Sequence, residues 1–128
     1  PRPVTRRGGK VNLPEGRALI VEDNVIIAMD CEAVLRDMGC GEVVLASSVA
    51  QGLKAIENTE MGFAVLDVNL GNETSFAIAD VLGEKAIPFI FASGYADGVL
   101  FPDAHVDRPK VSKPYDMASL TDALKRVF

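Results

Sequence analysis

Five short apolar runs punctuate the chain: RALIV (Arg17–Val21), EVVLA (Glu42–Ala46), GFAVL (Gly62–Leu66), PFIFA (Pro88–Ala92) and the shorter KVS (Lys110–Ser112). Each is too short for a helix, and turn-forming residues flank most of them, so they predict buried strands. Amphipathic stretches lie between them. Asn24 predicts a cap for a helix from Val25 to about Met38, whose Ile26, Met29, Ala33, Val34 and Leu35 recur at helical spacing, with Gly39 and Gly41 to stop it. Ser48 predicts the start of a second helix through about Asn58, with Ala50, Leu53 and Ile56 inward. A third is expected from Ser75 to Gly83 on Phe76, Ala79 and Leu82. A last one starts at Asp116 or Ser119 and carries Leu120, Ala123, Leu124 and Val127. The stretch from Ser93 to Pro109 is the least regular and leaves room for one short helix near Ala96–Phe101. Alternating strands and helices predict an α/β fold: a doubly wound, five-stranded parallel sheet with helices on both faces.

Composition narrows the class. The chain has 128 residues, 48% hydrophobic and 24% charged, which suits one soluble domain. Two cysteines, Cys31 and Cys40, are too few for a disulfide scaffold or a four-thiolate metal site. No run of eighteen apolar residues and no signal peptide are present, which predicts a cytoplasmic protein with no direct membrane contact. The net charge of −5 argues against nucleic acid as a partner. That charge is uneven. Residues 1–16 hold Arg2, Arg6, Arg7 and Lys10 against Glu15, so they carry +3 and the rest carries −8. Three prolines and three glycines there predict a flexible basic lead-in or linker over 1–16, with one folded domain over 17–128.

Parallel sheets of this kind bind at the carboxyl ends of their strands. Those ends carry Glu22 and Asp23 (strand one), Asp67 (strand three), Ser93 (strand four) and Lys113 (strand five). Taken singly, each has a plainer reading. Asp67 suits a turn, Glu22 and Asp23 complement a helix dipole, Ser93 precedes a glycine, and Lys113 precedes Pro114 at a strand exit. Taken together they form a site. Adjacent carboxylates are costly to bury unless a cation shares them, and an all-oxygen set suits Mg²⁺. Lysine supplies a point charge for a phosphoryl oxygen, serine supplies a hydroxyl donor, and a carboxylate can accept a phosphoryl group.

The stretches LIVEDN (Leu19–Asn24), FAVLDVNLG (Phe63–Gly71), PFIFASGY (Pro88–Tyr95) and SKPY (Ser112–Tyr115) resemble the receiver domain of two-component response regulators, over essentially Arg17 to Phe128. The resemblance implies a flavodoxin-like, CheY-like fold. It implies Asp67 as phosphoacceptor; Mg²⁺ held by Asp23, Asp67 and the Asn69 carbonyl; and Glu22 on a metal-bound water. It further implies that Ser93 and Lys113 contact the phosphoryl group and that Pro114 follows the lysine in cis. The implied phosphodonor is a histidine kinase or histidine phosphotransfer protein, with a downstream protein target and slow autodephosphorylation. The wording is similar to receivers with an "FATGY" signature, including those attached to alphaproteobacterial sensor histidine kinases; Ser93 stands in for the threonine. The family's switch aromatic, three places before the lysine, is replaced by Lys110, which makes Tyr95 the candidate gate or relay. With no room for an output domain, the output is expected in another protein or in a further part of this one, such as a hybrid kinase.

Two other classes fit less well. A Mg²⁺-dependent phosphohydrolase with an aspartyl nucleophile wants an acid two places after that nucleophile, where Asn69 stands. A phosphorylation-independent interaction module would not need a complete site. His105, the sole histidine, lies in a proline-flanked stretch and is expected to be an exposed loop residue. Cys31 is expected to pack the first helix, with Cys40 at its exit.

Overall fold

The computed structural model describes residues 4–5, 12–13, 17–93, 101–112 and 116–126. In the lead-in, β1 (Val4–Thr5) pairs antiparallel with β2 (Asn12–Leu13). Then follow β3 (Arg17–Val21), α1 (Val25–Asp37), β4 (Val43–Ala46), α2 (Val49–Asn58), β5 (Met61–Asp67), α3 (Phe76–Glu84), β6 (Phe89–Ser93), β7 (Lys110–Ser112) and α4 (Met117–Lys125). Strands β3 to β7 form one parallel sheet in the order β4-β3-β5-β6-β7. The chain winds outward from β3 in both directions, so helices cover both faces.

Successive strand residues point to opposite faces, and here both faces are buried. Ala18, Ile20, Phe63, Val65, Ile90, Ala92 and Val111 join a core with Ala28, Cys31 and Leu35 of α1 and Leu120, Ala123 and Leu124 of α4. Leu19, Val21, Ala64, Leu66, Phe89 and Phe91 join the other core with Ile56 of α2 and Ile78, Ala79 and Leu82 of α3. Each large side chain so buried stabilises the fold by about 1.5–3 kcal/mol. Gly52 lets α2 lie close to α3: a Cβ there would stand 2.6 Å from Ile78 Cδ1.

The helix ends follow the sequence closely. Asn24 Oδ1 accepts from the amides of Ile26 and Ile27, and Ser48 Oγ accepts from Gln51 N. Asp116 Oδ1 accepts from Ser119 N while Ser119 Oγ accepts from Asp116 N, a reciprocal cap that uses both residues expected at this start. Those bonds from Ser119 hold the Asp116 carboxyl below its ordinary value.

The helix faces depart from expectation in two places. In α1, Ile26 is 69% exposed and Met29 58%, and Ala33 is exposed as well. The inward face is Ala28, Cys31 and Leu35. Small side chains at two of those positions bring the helix close to the sheet, which turns the bulkier stripe outward. In α2, Ala50 is exposed and Gly52 takes the contact, with Leu53 half-buried and Ile56 buried. Val127 and residues 96–100, where a short helix was expected, lie outside the described residues; Phe101 is not helical.

His105 is the third correction. It is buried, not exposed, at 3% accessibility. Its ring stacks on Phe76 and meets Phe89 and Phe91, with centroids 5.8–6.2 Å away. A carboxylate can only accept, so His105 Nε2 donates to Asp80 Oδ1 at 2.7 Å. This bond, with Phe101 packed edge-on against Phe76 at 5.5 Å, docks residues 101–109 onto α3. Truncating it should leave both a cavity and an unpaired carboxylate. We expect His105→Ala to lower the unfolding free energy by about 2–4 kcal/mol, and Asp80→Ala by about 1 kcal/mol, as read by urea denaturation.

Candidate functional site

Sheet register builds the site. Val21 pairs with Leu66, so the next residues, Glu22 and Asp67, stand side by side at the strand ends. Asp67 pairs with Ala92, which sets Ser93 one residue beyond it on β6, and Ser93 pairs with Ser112 on β7. Glu22 is 4% exposed and Asp67 3%, whereas Asp23 is exposed. One carboxylate oxygen from each of the three lies within 4.8 Å of the others.

Local structure fixes each group. Glu22 N donates to Ala46 O, which anchors the strand exit, and Glu22 Oε2 accepts from Asn24 N at 3.1 Å. Asn24 in turn caps α1, so the turn that presents Glu22 and Asp23 is tied to a helix start. Asp67 is the last residue of β5, and Val68 N donates to Ala92 O just after it. The chain then turns over the site. Asn69 Oδ1 accepts from Gly71 N, and an isolated bridge joins Asn69 to Thr74. Gly71 has φ +85°, which favours glycine, and a Cβ there would stand 3.9 Å from Asp23 Oδ2.

Glu22, Asp23 and Asp67 thus come together as the sequence implies. Ser93 is half-buried on the neighbouring strand. Lys113, Pro114 and Tyr95 lie outside the described residues. Lys110 is described and faces away from any role as an inward-turning aromatic. Its Nζ donates to the carbonyls of Val106 and Arg108 at 2.7 and 2.8 Å and lies 4.5 Å from the Phe101 ring centroid. Partial burial pulls its pKa down from the ordinary value. The two cysteines are buried away from this site, and burial pushes the Cys40 thiol up. Sequence reasoning missed Gly71 and His105. The glycine could have been read from its place two residues after Asn69; for His105 the proline-flanked context pointed the wrong way.

Three carboxylates this close repel one another, and two of them are shielded from water, so the cluster favours a small, hard divalent cation. The donor set is all oxygen, with no thiolate or imidazole, which fits Mg²⁺ rather than zinc.

Comparison with known proteins agrees. The response regulator receiver domain family matches residues 18–125. The chain belongs to that family. It is 36% identical to SdrG from Sphingomonas melonis Fr1, whose solution structure superposes with a TM-score of 0.79 over 88% of this chain and 95% of that one. The BeF3-activated conformation of SdrG, from Pseudomonas melonis Fr1, gives 37% identity and a TM-score of 0.72, covering 85% and 92% of the two chains. The phyllosphere-induced regulator PhyR of Methylorubrum extorquens is 27% identical over 113 residues, which is 86% of this receiver and 42% of PhyR. The receiver is therefore homologous to PhyR-type regulators, and it spans less than half of that curated relative.

A cation that binds the folded cluster stabilises it by mass action. We expect saturating Mg²⁺ to raise the unfolding midpoint by about 5–10 °C. EDTA should reverse the rise, matched NaCl should not reproduce it, and Asp23→Asn should abolish it in a calorimetric scan.

Proposed function

We propose that this receiver takes a phosphoryl group from a phosphohistidine onto Asp67 in a cytoplasmic phosphorelay. The observation that carries this reading is the buried Asp67 carboxylate held within 4.8 Å of Glu22 and Asp23 at the carboxyl edge of the sheet. An Asp67 oxygen attacks phosphorus in line as the P–N bond breaks. Its electron pair returns to the imidazole of the donor, leaving an acyl phosphate. Asp23, Asp67 and the Asn69 carbonyl would hold Mg²⁺, with Glu22 on a bound water, and the ion would offset charge on the phosphoryl oxygens. Ser93 donates a hydrogen bond to one of those oxygens. Lys113, the residue after β7, pairs with another. Pro114 aims that lysine. Water later attacks the acyl phosphate in the same site, which returns the domain slowly to its resting form.

The phosphorylated site then changes an interaction surface. SdrG has a BeF3-activated conformation, which supports such a change in this relative. Here the segment 101–109 is clasped by Lys110 and His105, so output runs through release or re-docking of that segment, with Tyr95 gating the phosphoryl group. The donor, a histidine kinase or a phosphotransfer protein, docks beside the site on α1, where Val25 (65% exposed), Ile26 and Met29 form an outward apolar stripe one turn from Glu22 and Asp23.

Radiolabel transfer from phosphohistidine donors tests the reading. Wild type should gain Mg²⁺-dependent, hydroxylamine-labile label, and Asp67→Asn should lose at least about 100-fold of it. The double variant Ile26→Ala/Met29→Ala should slow transfer from a protein donor by about tenfold. Its rate with a small acyl phosphate should be unchanged. Label on Asp67→Asn equal to that on wild type would refute the assignment.

A further inference from the structure

Glu73 is an acid the proposed phosphotransfer does not use. It lies within the Asn69–Thr74 turn, yet it is not part of the carboxylate cluster. Its side chain points across to another element: Glu73 Oε2 accepts from Val49 N at 3.1 Å, twenty-four residues away in sequence. Val49 is the first residue of α2, directly after the Ser48 cap. The amide of that first residue has no partner within the helix, and a carboxylate there meets the positive end of the helix dipole. Glu73 also closes its own turn, because its carbonyl accepts from Leu70 N at 2.9 Å. One flank of this turn is therefore the Asn69–Thr74 bridge, and the other is pinned to α2.

The pinned turn is the one that covers the site. It contains Asn69, whose carbonyl is the proposed ligand, and Gly71, where a Cβ would stand 3.9 Å from Asp23 Oδ2. The β4–α2 connection is itself anchored at the site, since Ala46 O accepts from Glu22 N. Glu73 thus joins two loops from different strands, and both loops touch the carboxylate cluster. Its carboxylate faces the partial positive charge of a helix start, which favours the ionised acceptor at this place.

We propose that Glu73 is a positioning residue for the metal site: by clamping the Asn69–Thr74 turn to the N-terminus of α2 it sets the Asn69 carbonyl for the cation. This rests on the cation-binding reading above. A residue acting this way changes metal affinity and leaves the chemistry at saturating metal untouched.

The test compares wild type, Glu73→Ala and Glu73→Gln as intact chains. Mg²⁺ affinity is measured by amide-shift titration, and hydrogen exchange is followed at Val49. In Glu73→Ala, Mg²⁺ affinity should fall by roughly threefold to tenfold, and the Val49 amide should exchange faster. Labelling at saturating Mg²⁺ should match wild type. Glu73→Gln keeps an acceptor oxygen and should recover most of the affinity. If Val49 loses protection in Glu73→Ala and Mg²⁺ affinity stays within twofold of wild type, the clamp is only a helix cap and the proposal fails. If Val49 protection does not change, the clamp itself is refuted. If wild type binds no Mg²⁺, it is the cation reading that fails, before the variants are compared.

Discussion

Three carboxylates on two adjacent parallel strands, two of them nearly sealed from water, are the constraint around which this domain is arranged. Like charges in such a place destabilise a fold unless something offsets them. The sheet register makes the arrangement unavoidable, because pairing Val21 with Leu66 sets Glu22 beside Asp67. Two apolar cores hold that register, one on each face, and they bury almost every side chain of the central strands. The stability gained from those cores is what allows the strand ends to carry unfavourable charge. The proposed phosphotransfer would draw on this combination: a carboxylate beside a cation site, on elements too well packed to relax away.

The strands were legible because a sheet buried on both faces writes itself as continuous apolar runs. Turn chemistry marked the helix starts, and Asn24, Ser48 and Asp116 all cap as their residue types suggest. Helical faces were harder. Periodicity in α1 fits two stripes, and the bulkier one, Ile26–Met29–Ala33, faces solvent while Ala28, Cys31 and Leu35 face the sheet. Hydrophobicity alone cannot choose between them, since the choice depends on how near the helix must lie. His105 failed for a related reason. Its sequence context is a short stretch flanked by Pro102 and Pro109 that shows no helix or strand pattern, and the aromatic rings that bury it come from α3 and β6. The carboxylate cluster, by contrast, was readable from strand ends and motif wording together, because parallel strands align their carboxyl ends.

The segment leading into β7 is where this receiver departs from its family's wording. In the place of an aromatic switch, Lys110 holds two carbonyls of its own loop and lies on Phe101, while Arg108 lies over Phe89. Both are cation–ring contacts on a half-buried segment, and His105 pins the middle of the same segment to α3 through Asp80. A lysine anchored in this way cannot swing inward as a ring would without giving up both carbonyls. Any change in the surface upon phosphorylation must therefore be worked through this clasp or around it.

The central claim is that Glu22, Asp23 and Asp67 share one cation. Substoichiometric Mn²⁺ added to ¹⁵N-labelled protein tests it directly, because the paramagnetic ion broadens nearby amides in proportion to its residence. The account predicts broadening centred on Glu22, Asp23 and Asp67, reaching Asn69 and Gly71, and displaced by excess Mg²⁺. Broadening spread over exposed acids such as Glu57, Glu60 and Asp122, with none at the strand ends, would contradict it.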